Sequence, residues 1–490
     1  MAKMRLEEMR QARLTKREEL LASGAVPYPT EVRRSHTASE LTDQFEQLQS
    51  DNTPVTVWGR VTALRKHGGL AFLDLTDSSG TFQLQLMKDD AAEEIFTRLE
   101  SIDTGDWIQA AGDVTTTKRG TQTLAVSEFH IISKAIRPLP DSWYGLKDHE
   151  TRYRQREVDL LMNDHVRQTF MTRSRIVTWL RQYLTDQQFL EVETPILQPI
   201  AGGAAAQPFH THHNTLDMNL FLRIAPELYL KRLIVGGFEK VFEIGRNFRN
   251  EGISKQHNPE FTMLEFYWAG ADYEDLMDMT EQMISKLAQE VVGSGQVSWQ
   301  EQSLNFSAPF ERKRYVEVVS ERIGVDILEE KDPNVYLAIF EREGIEVPEA
   351  HNYMKLVDEL YKELVRPSLL QPTLLYDYPF EMVPLAKRSP HDPRIAEKFQ
   401  LLIAGTEIVN AYTEQNDPVE QRQRFEEQQR AREEGDAEAQ AVDEAYLRAM
   451  EYGMPPTAGF GLGVDRLTML LTDSPTLRDT ILFPLLRPEL

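Results

Sequence analysis

The sequence predicts an α+β protein: a small all-β barrel, then a larger domain built on an antiparallel sheet with helices before and after it. Three observations predict this. Between Val55 and Ile132, apolar residues recur with period two in short runs divided by Gly, Asp and Ser turns. Helical spacing follows, with Val166, Phe170, Val177, Leu180 and Leu184 recurring at that period. Strand signals then dominate from Leu220 to Tyr267, and helices return from Glu274. A strand-rich block bracketed by helices is how an antiparallel α+β domain reads in sequence.

Composition bounds the rest. With 490 residues, 27% charged and 41% hydrophobic, the chain is long enough for several domains and ordinary for a globular protein. A net charge of −24 argues against a surface coated in basic patches, although a local basic strip would still suffice for nucleic acid. There are no cysteines, so disulfides, thiol catalysis and cysteine-ligated zinc are excluded. The charged N-terminus lacks the apolar core of a signal peptide, and no run approaches a membrane span. A cytoplasmic protein without membrane partners is expected.

In chain order, residues 1–20 carry six Lys/Arg against four Glu, with Met4, Met9, Leu14 and Leu20 spaced as in an amphipathic helix. That helix is either solvated or rests on a nucleic-acid backbone. "VTVWGRV", "LAFLDLTDSSGTFQLQLM", "DWIQAAGDV" and "TQTLAVSEFHII" supply about five short strands, which makes the OB-fold the leading architecture for this segment. In it Phe82, Leu84 and Leu86 alternate with Gln83 and Gln85, so one strand face is polar. Arg137 to Glu157 is Pro-rich, then strongly charged, and reads as a linker. The acid-rich stretch 414–451 reads as a solvated helical face interrupted by a loop.

Three stretches carry candidate chemistry. "VFEIGRNFRNEGISKQHNPEFTMLEFYW", from Val241 to Trp268, reads as two strands with a long connection. Side chains two apart share a face. Phe242, Ile244 and Phe248 fall on one face of the first strand; Glu243, Asn247, Arg249 and Glu251 fall on the other. On the second, Phe261, Met263, Glu265 and Tyr267 share a face, opposite Thr262, Leu264 and Phe266. A merely structural sheet would not mix acids with rings on its polar side. In "PPTAGFGLGVDRLTMLLTDS", alternating glycines from Gly459 to Gly463 lead into a helix carrying Asp465 and Arg466. Such turns let backbone approach a ligand, and helix N-termini favour phosphate, although glycines also occur there for packing. In "LIAGTEIVNAYTEQND", Asn410, Tyr412 and Glu414 share a face, and Glu407 joins them only if a bulge intervenes. The histidines from His210 to His213 lack supporting ligands and read as surface or loop residues.

The order of these stretches resembles the class II lysyl-tRNA synthetases over nearly the whole chain. "FLEVETPIL" resembles their first motif, "GRNFRNE" the second and "GLGVDRL" the third. "PIAGGAAAQPFHTHHNTLDMNLFLRIAPELYLKR", "HNPEFTMLEFY" and "EIVNAYTEQNDP" resemble the lysine-specific segments. The resemblance implies a seven-stranded, mostly antiparallel catalytic sheet preceded by an anticodon-reading OB-fold. The expected division is an N-terminal extension over 1–50, the OB-fold over 51–136, a linker over 137–160 and the catalytic domain over 161–490. It implies activation of L-lysine by ATP and transfer to tRNA(Lys), with Mg2+ as the metal, by a homodimer.

Residue by residue, the resemblance gives Arg249 and Arg466 catalytic phosphate-clamping roles. Glu251, His257, Asn258, Phe261 and Glu407 complete the nucleotide site, with Phe261 stacking on adenine and Glu407 holding magnesium. Gly203, Glu227, Glu265, Tyr267, Asn410, Tyr412 and Glu414 form the lysine pocket. Phe72, Gln83 and Glu128 read anticodon bases. Four positions depart from the family pattern: Gln400 stands for a metal-binding glutamate, Gln207 for a basic residue, Glu157 for an aromatic, and Gln415 interrupts "TELNDP". Gln400 keeps open an alternative, a catalytically weak or non-catalytic paralogue that still binds lysine, nucleotide or tRNA. An aspartate or asparagine synthetase would need cationic residues where Glu265 and Glu414 stand.

Overall fold

The computed structural model describes residues 2–88, 98–140, 146, 148–348, 352–383, 385–433 and 440–488. It forms two compact units, Met1–Lys147 and Asp148–Leu490.

In the first unit β1 (Val55–His67), β2 (Leu70–Thr76), β3 (Thr81–Met87), β4 (Trp107–Thr116) and β5 (Gln122–Ser133) close into a barrel of order β1-β2-β3-β5-β4. The period-two pattern explains the closure. Ala71, Leu73, Leu75, Phe82, Leu84 and Leu86 point inward and are buried, while the alternate residues face out. The N-terminal helix, Ala2–Ala22, packs on the barrel through Arg13, which donates to the carbonyls of Thr104 and Ala135, and through buried Leu20. Beneath it Lys134 is fully enclosed and binds Asp103 at 2.6 Å and Asp106 at 2.7 Å. Its desolvation is offset by paired charge.

In the second unit the strands are β6 (Leu190–Glu191), β7 (Leu197–Gln198), β8 (His210–His213), β9 (Met218–Leu222), β10 (Lys240–Phe248) and β11 (Glu260–Ala269). They continue as β12 (Gln296–Trp299), β13 (Gln302–Asn305), β14 (Glu311–Arg314), β15 (Thr373–Pro379), β16 (Ile395–Ile403), β17 (Thr406–Thr413) and β18 (Thr457–Gly463). The main sheet has the order β14-β15-β16-β17-β18-β11-β10-β6. It therefore has eight strands among the described residues rather than the seven expected. The outermost pairs, β14 with β15 and β10 with β6, are parallel and the inner ones antiparallel.

One face of this sheet is core. Phe242, Leu264, Phe266, Leu401, Val409, Phe460 and Leu462 pack there against the helices Asp164–Asp186, Tyr273–Leu287 and Val464–Leu471. The expected strand run from Leu220 to Tyr267 is interrupted by the helix Glu227–Val235, whose "LYLKRLIV" spacing buries Leu228, Leu230, Lys231 and Ile234. Much of the charged segment before 160 is helical, as His149–Arg154 and Arg156–Met162. Arg156 and Asp159 are fully buried there as an ion pair of 2.5 Å, and Arg156 also donates to the carbonyl of Leu482. No helix among the described residues is long and apolar enough to cross a membrane.

Candidate functional site

The other face of the sheet opens into a cavity of about 360 Å³. Its floor is set by register. Strand β18 runs between β11 and β17, with Gly459 opposite Tyr267 and Tyr412, and Gly461 opposite Glu265 and Asn410. The glycines are needed for room. A Cβ at Gly459 would lie 1.8 Å from Glu414 Oε1 and 2.7 Å from the Tyr267 ring, and one at Gly461 would lie 3.2 Å from Met263. The strip of missing side chains thus forms a trough, with acids and rings rising from the neighbouring strands.

The expected face of β11 is the observed one: Phe261, Met263, Glu265 and Tyr267 all line the cavity, while Leu264 and Phe266 are core. On β17 the question left open by Glu407 is answered by a bulge. Leu401 pairs with Val409 but Leu402 pairs with Glu407, which inserts Ile408 and brings Glu407 onto the wall with Asn410, Tyr412 and Glu414. On β10 the parity reading holds only in part. Glu243 shares its face with Arg249, yet its carboxylate is taken by Arg223 and by the Thr194 hydroxyl at 2.7 Å.

At one end of the cavity are three acids. Glu227, Glu265 and Glu414 are each buried, and they come from a helix, from β11 and from the end of β17. Tyr412 donates to Glu227 at 3.0 Å. Burial pushes the Glu265 carboxyl up to about 8, with Glu227 adding to the rise and Arg249 and Arg223 opposing it. Burial also raises Glu414, while Lys231 pulls it back down. Gly203 approaches the cluster closely: its φ is +90°, its amide donates to Gln440 Oε1 at 3.0 Å, and a Cβ there would meet Glu227 at 2.8 Å.

At the other end are two arginines. Arg249 is half-buried, 5.1 Å over the Phe261 ring, and among the described residues its buried Nε has no hydrogen-bond partner. Burial pulls its pKa down, but a guanidinium remains charged at neutral pH. A half-buried cation with an idle, buried donor is arranged for an anion. Arg466 opens from the helix that follows β18 and donates to the Glu407 carbonyl at 3.0 Å and to His257 Nε2 at 3.1 Å. Because Arg466 can only donate, Nε2 accepts and the ring proton sits on Nδ1, donating to Ser254 at 2.8 Å, while burial first, then Arg466, Arg366 and Arg249, push the His257 pKa down. Among the described residues Asn258 Oδ1 is buried without a hydrogen-bond partner, and Glu251 stands exposed at the rim.

Lys231, behind the cavity, and Lys398, on its wall, escaped the sequence reading, as did the contacts that Asp465 makes. Lys231 lies one helical turn after Glu227 with its ammonium among the acids. Lys398 lines the wall with its Nζ 4.7 Å over the Tyr378 ring; burial lowers its pKa, and Glu407 and Asp358 oppose that. Asp465 is held by Arg173 at 2.5 Å and accepts from the Thr262 amide, which ties the glycine-rich turn to β11.

The departures separate into one polar network and three peripheral positions. Gln400 is buried; its oxygen accepts from Tyr378 at 2.7 Å and its amide donates to Glu407 Oε2 at 2.5 Å. Gln207 is exposed, and so is Glu157 on its helix. Gln415 is buried and caps the Asp417 amide at 3.0 Å. The histidines of β8 are exposed, with His210 edge-on to Phe221.

On the barrel, Phe72 is half-buried on the outer face of β2, where it pairs with Gln85, and Gln83 pairs with Asp74 one step along the same face. Glu128 is exposed and meets His130 at 2.8 Å. The outer face thus presents a ring, an amide and a carboxylate.

The second unit can hold cationic groups at one end of a trough and an anionic chain at the other. Residues 148–487 match the family model described as tRNA synthetases class II (D, K and N), and residues 55–139 match that of the OB-fold nucleic acid binding domain. A lysine–tRNA ligase of Carboxydothermus hydrogenoformans is 49% identical over 99% of each chain. The corresponding ligase of Roseiflexus castenholzii is 47% identical over 99% of this chain and all of its own. That of Staphylococcus haemolyticus is 46% identical over 99% of each.

Proposed function

Because this chain belongs to the lysine–tRNA ligases of the class II tRNA synthetases, we propose that the cavity joins lysine to ATP before the lysyl group passes to tRNA. The observation that carries the assignment of roles is the division of the cavity into an acid cluster and an arginine end along one glycine-floored trough.

The chemistry follows from the charges. Lysine brings two ammonium groups out of water, and burying them costs several kcal/mol unless they are paired. Glu227, Glu265 and Glu414 supply the pairing charge, with Tyr267 and Tyr412 as ring walls, and Asn410 and Gly203 as polar contacts. The lysine carboxylate then faces Arg249. It attacks the α-phosphate of ATP in line, the bond to pyrophosphate breaks, and lysyl-adenylate forms. The nucleophile is already ionised, so no side-chain base is needed. Positioning and charge stabilisation carry the step. Arg249 holds the α-phosphate and Arg466 the terminal phosphate, while Phe261 stacks on adenine. Glu251, His257 and Asn258 complete the nucleotide site. His257, neutral and fixed by Ser254, offers no competing cation. A tRNA ribose hydroxyl then attacks the lysyl carbonyl, and AMP leaves.

Magnesium fits the donor set in a reduced form. Glu407 Oε1 faces Arg466 Nη1 at 4.0 Å, whereas Gln400 turns its oxygen to Tyr378 and its amide to Glu407 Oε2. Magnesium leans on only one or two carboxylates when nucleotide phosphates share the work. Glu407 would hold the ion, which supplies charge against the phosphates.

Residues 51–136 are assigned to anticodon reading through Phe72, Gln83 and Glu128, by stacking and edge hydrogen bonds. Residues 161–490 are assigned to catalysis, with 1–50 as an N-terminal extension and 137–160 as the link. A cytoplasmic homodimer is the proposed working form. Leu190 on the edge strand β6, and Ile196 and Leu197 at the edge strand β7, support it, since all three are exposed where a second copy would cover them. The acids argue against the aspartate and asparagine alternatives, because Glu265 and Glu414 would repel a carboxylate side chain and offer an amide no cation. The test is attachment of radiolabelled lysine to tRNA by the full chain with ATP. A lysyl ester on tRNA with the lysine anticodon is expected. Its absence under conditions where ATP and lysine both bind would refute the reading.

A further inference from the structure

Lys231 is wholly enclosed, yet its ammonium meets the same acids that the proposed function gives to the substrate. Nζ lies 2.6 Å from Glu227 Oε1 and is ion-paired with Glu414 Oε2. The rings of Tyr412, Tyr267 and Tyr446 surround it at 5.7, 5.9 and 6.0 Å. Glu227 is on its own helix; Glu265 and Tyr267 face the cluster from β11, Tyr412 and Glu414 from β17, and Tyr446 from the helix Glu444–Met450. Among the described residues Glu414 Oε1 is left without a hydrogen-bond partner, and Glu265 lines the cavity beside it.

We propose that Lys231 is a specificity-determining positioning residue: a resident ammonium that fills one cation place among the three acids and leaves a charge deficit matched to a ligand with two ammonium groups. This rests on the lysine-activating reading above. Glu227, Glu265 and Glu414 together carry three negative charges when ionised, and Lys231 cancels one. Two ammonium groups neutralise the remainder, and the ligand carboxylate is left for Arg249. The resident ammonium also fixes which oxygen is open. With Oε2 of Glu414 taken, an incoming ammonium meets Oε1 against the bare strand at Gly459. Attraction to Glu227 and Glu414 outweighs burial and raises the Lys231 pKa above the ordinary lysine value, so its charge persists across the neutral range.

The test compares full-length K231A and K231M with the parent in lysine-dependent ATP–pyrophosphate exchange, with folding checked by circular dichroism. In both variants KM for lysine should rise on the order of 10²-fold, since a buried acid pair has lost its cation. KM for ATP should stay within about twofold, because the arginine end is untouched. Added n-propylammonium should lower KM for lysine in K231A by about tenfold by refilling the vacated place, while n-propanol should not. A parent-like KM in K231M, or equal rescue by propanol, overturns the proposal and leaves Lys231 a packing residue. A parent without lysine-dependent exchange refutes the functional reading instead.

Discussion

Replacing Glu265 with glutamine keeps the shape of the side chain and removes one charge from the acid cluster, where Glu265 is buried and 5% exposed. Removing the partner of a buried ammonium costs about 2–5 kcal/mol. Part of that is already spent in the parent. With its carboxyl pushed up to about 8, Glu265 is mostly protonated at neutral pH and must ionise to receive lysine. One pH unit of that ionisation costs about 1.4 kcal/mol. The net loss expected for Glu265→Gln at neutral pH is therefore about 0.6–3.6 kcal/mol, roughly threefold to 400-fold in KM for lysine. The sign of the pH dependence follows from the same proton. Lysine binds the ionised form, so binding releases the proton, and KM in the parent should fall as pH rises toward about 8 and level off above it. In Glu265→Gln that slope should vanish. The assay is ATP–pyrophosphate exchange against lysine at saturating ATP across this range, with ATP binding measured separately and expected to hold. An unchanged KM with the slope intact would refute the pairing of Glu265 with a lysine ammonium.

Phe72→Ala should weaken tRNA charging by the about 1–3 kcal/mol of one stacked base and leave tRNA-independent exchange intact; a parallel fall in both, in folded protein, would remove Phe72 from the anticodon surface. Gly459→Ala should raise KM for lysine in a folded protein, because the new methyl would stand 1.8 Å from Glu414 Oε1; parent-like kinetics would mean that Glu414 is not held against that strand. Gln400→Glu would set a carboxylate against Glu407 where an amide now donates at 2.5 Å. It should melt lower in chelator, regain stability with magnesium, need less magnesium for exchange, and gain up to on the order of 10²-fold in activation rate. Superimposable magnesium titrations would show that position 400 does not act on the metal.

Much of this site was legible because strand periodicity is strict. The alternation of Phe261, Met263, Glu265 and Tyr267 against Leu264 and Phe266 specified the wall of the cavity, since a one-residue slip would bury the acids in the core. The barrel was legible for the same reason. Glu407 was not, because a bulge is a property of pairing between two strands, and its extra residue, Ile408, carries no mark of its own. Lys231 hid behind an ordinary spacing: glutamate followed four residues later by lysine is the commonest stabilising pair of an exposed helix, and only burial makes it a site. The run of apolar residues between them, in "ELYLK", was the available signal that both ends face inward. Lys398 and Gln400 lie on β16 in register with Tyr412 and Asn410, a cross-strand fact that a single sequence does not contain. The count of seven came from the resemblance and not from periodicity, which gives no count here, because β6 and β14 are short edge pieces whose pairing is parallel and distant in sequence.

The most direct measurement is ATP–pyrophosphate exchange by the full chain without tRNA, run with lysine, ornithine, arginine, aspartate and asparagine in turn. An acid cluster that retains a deficit for two ammonium groups predicts exchange with lysine, weaker exchange with the shorter or bulkier cationic amino acids, and none with aspartate or asparagine. Exchange supported by aspartate or asparagine, or none with lysine at any magnesium concentration, would contradict the assignment of Glu227, Glu265 and Glu414 to the amino-acid pocket.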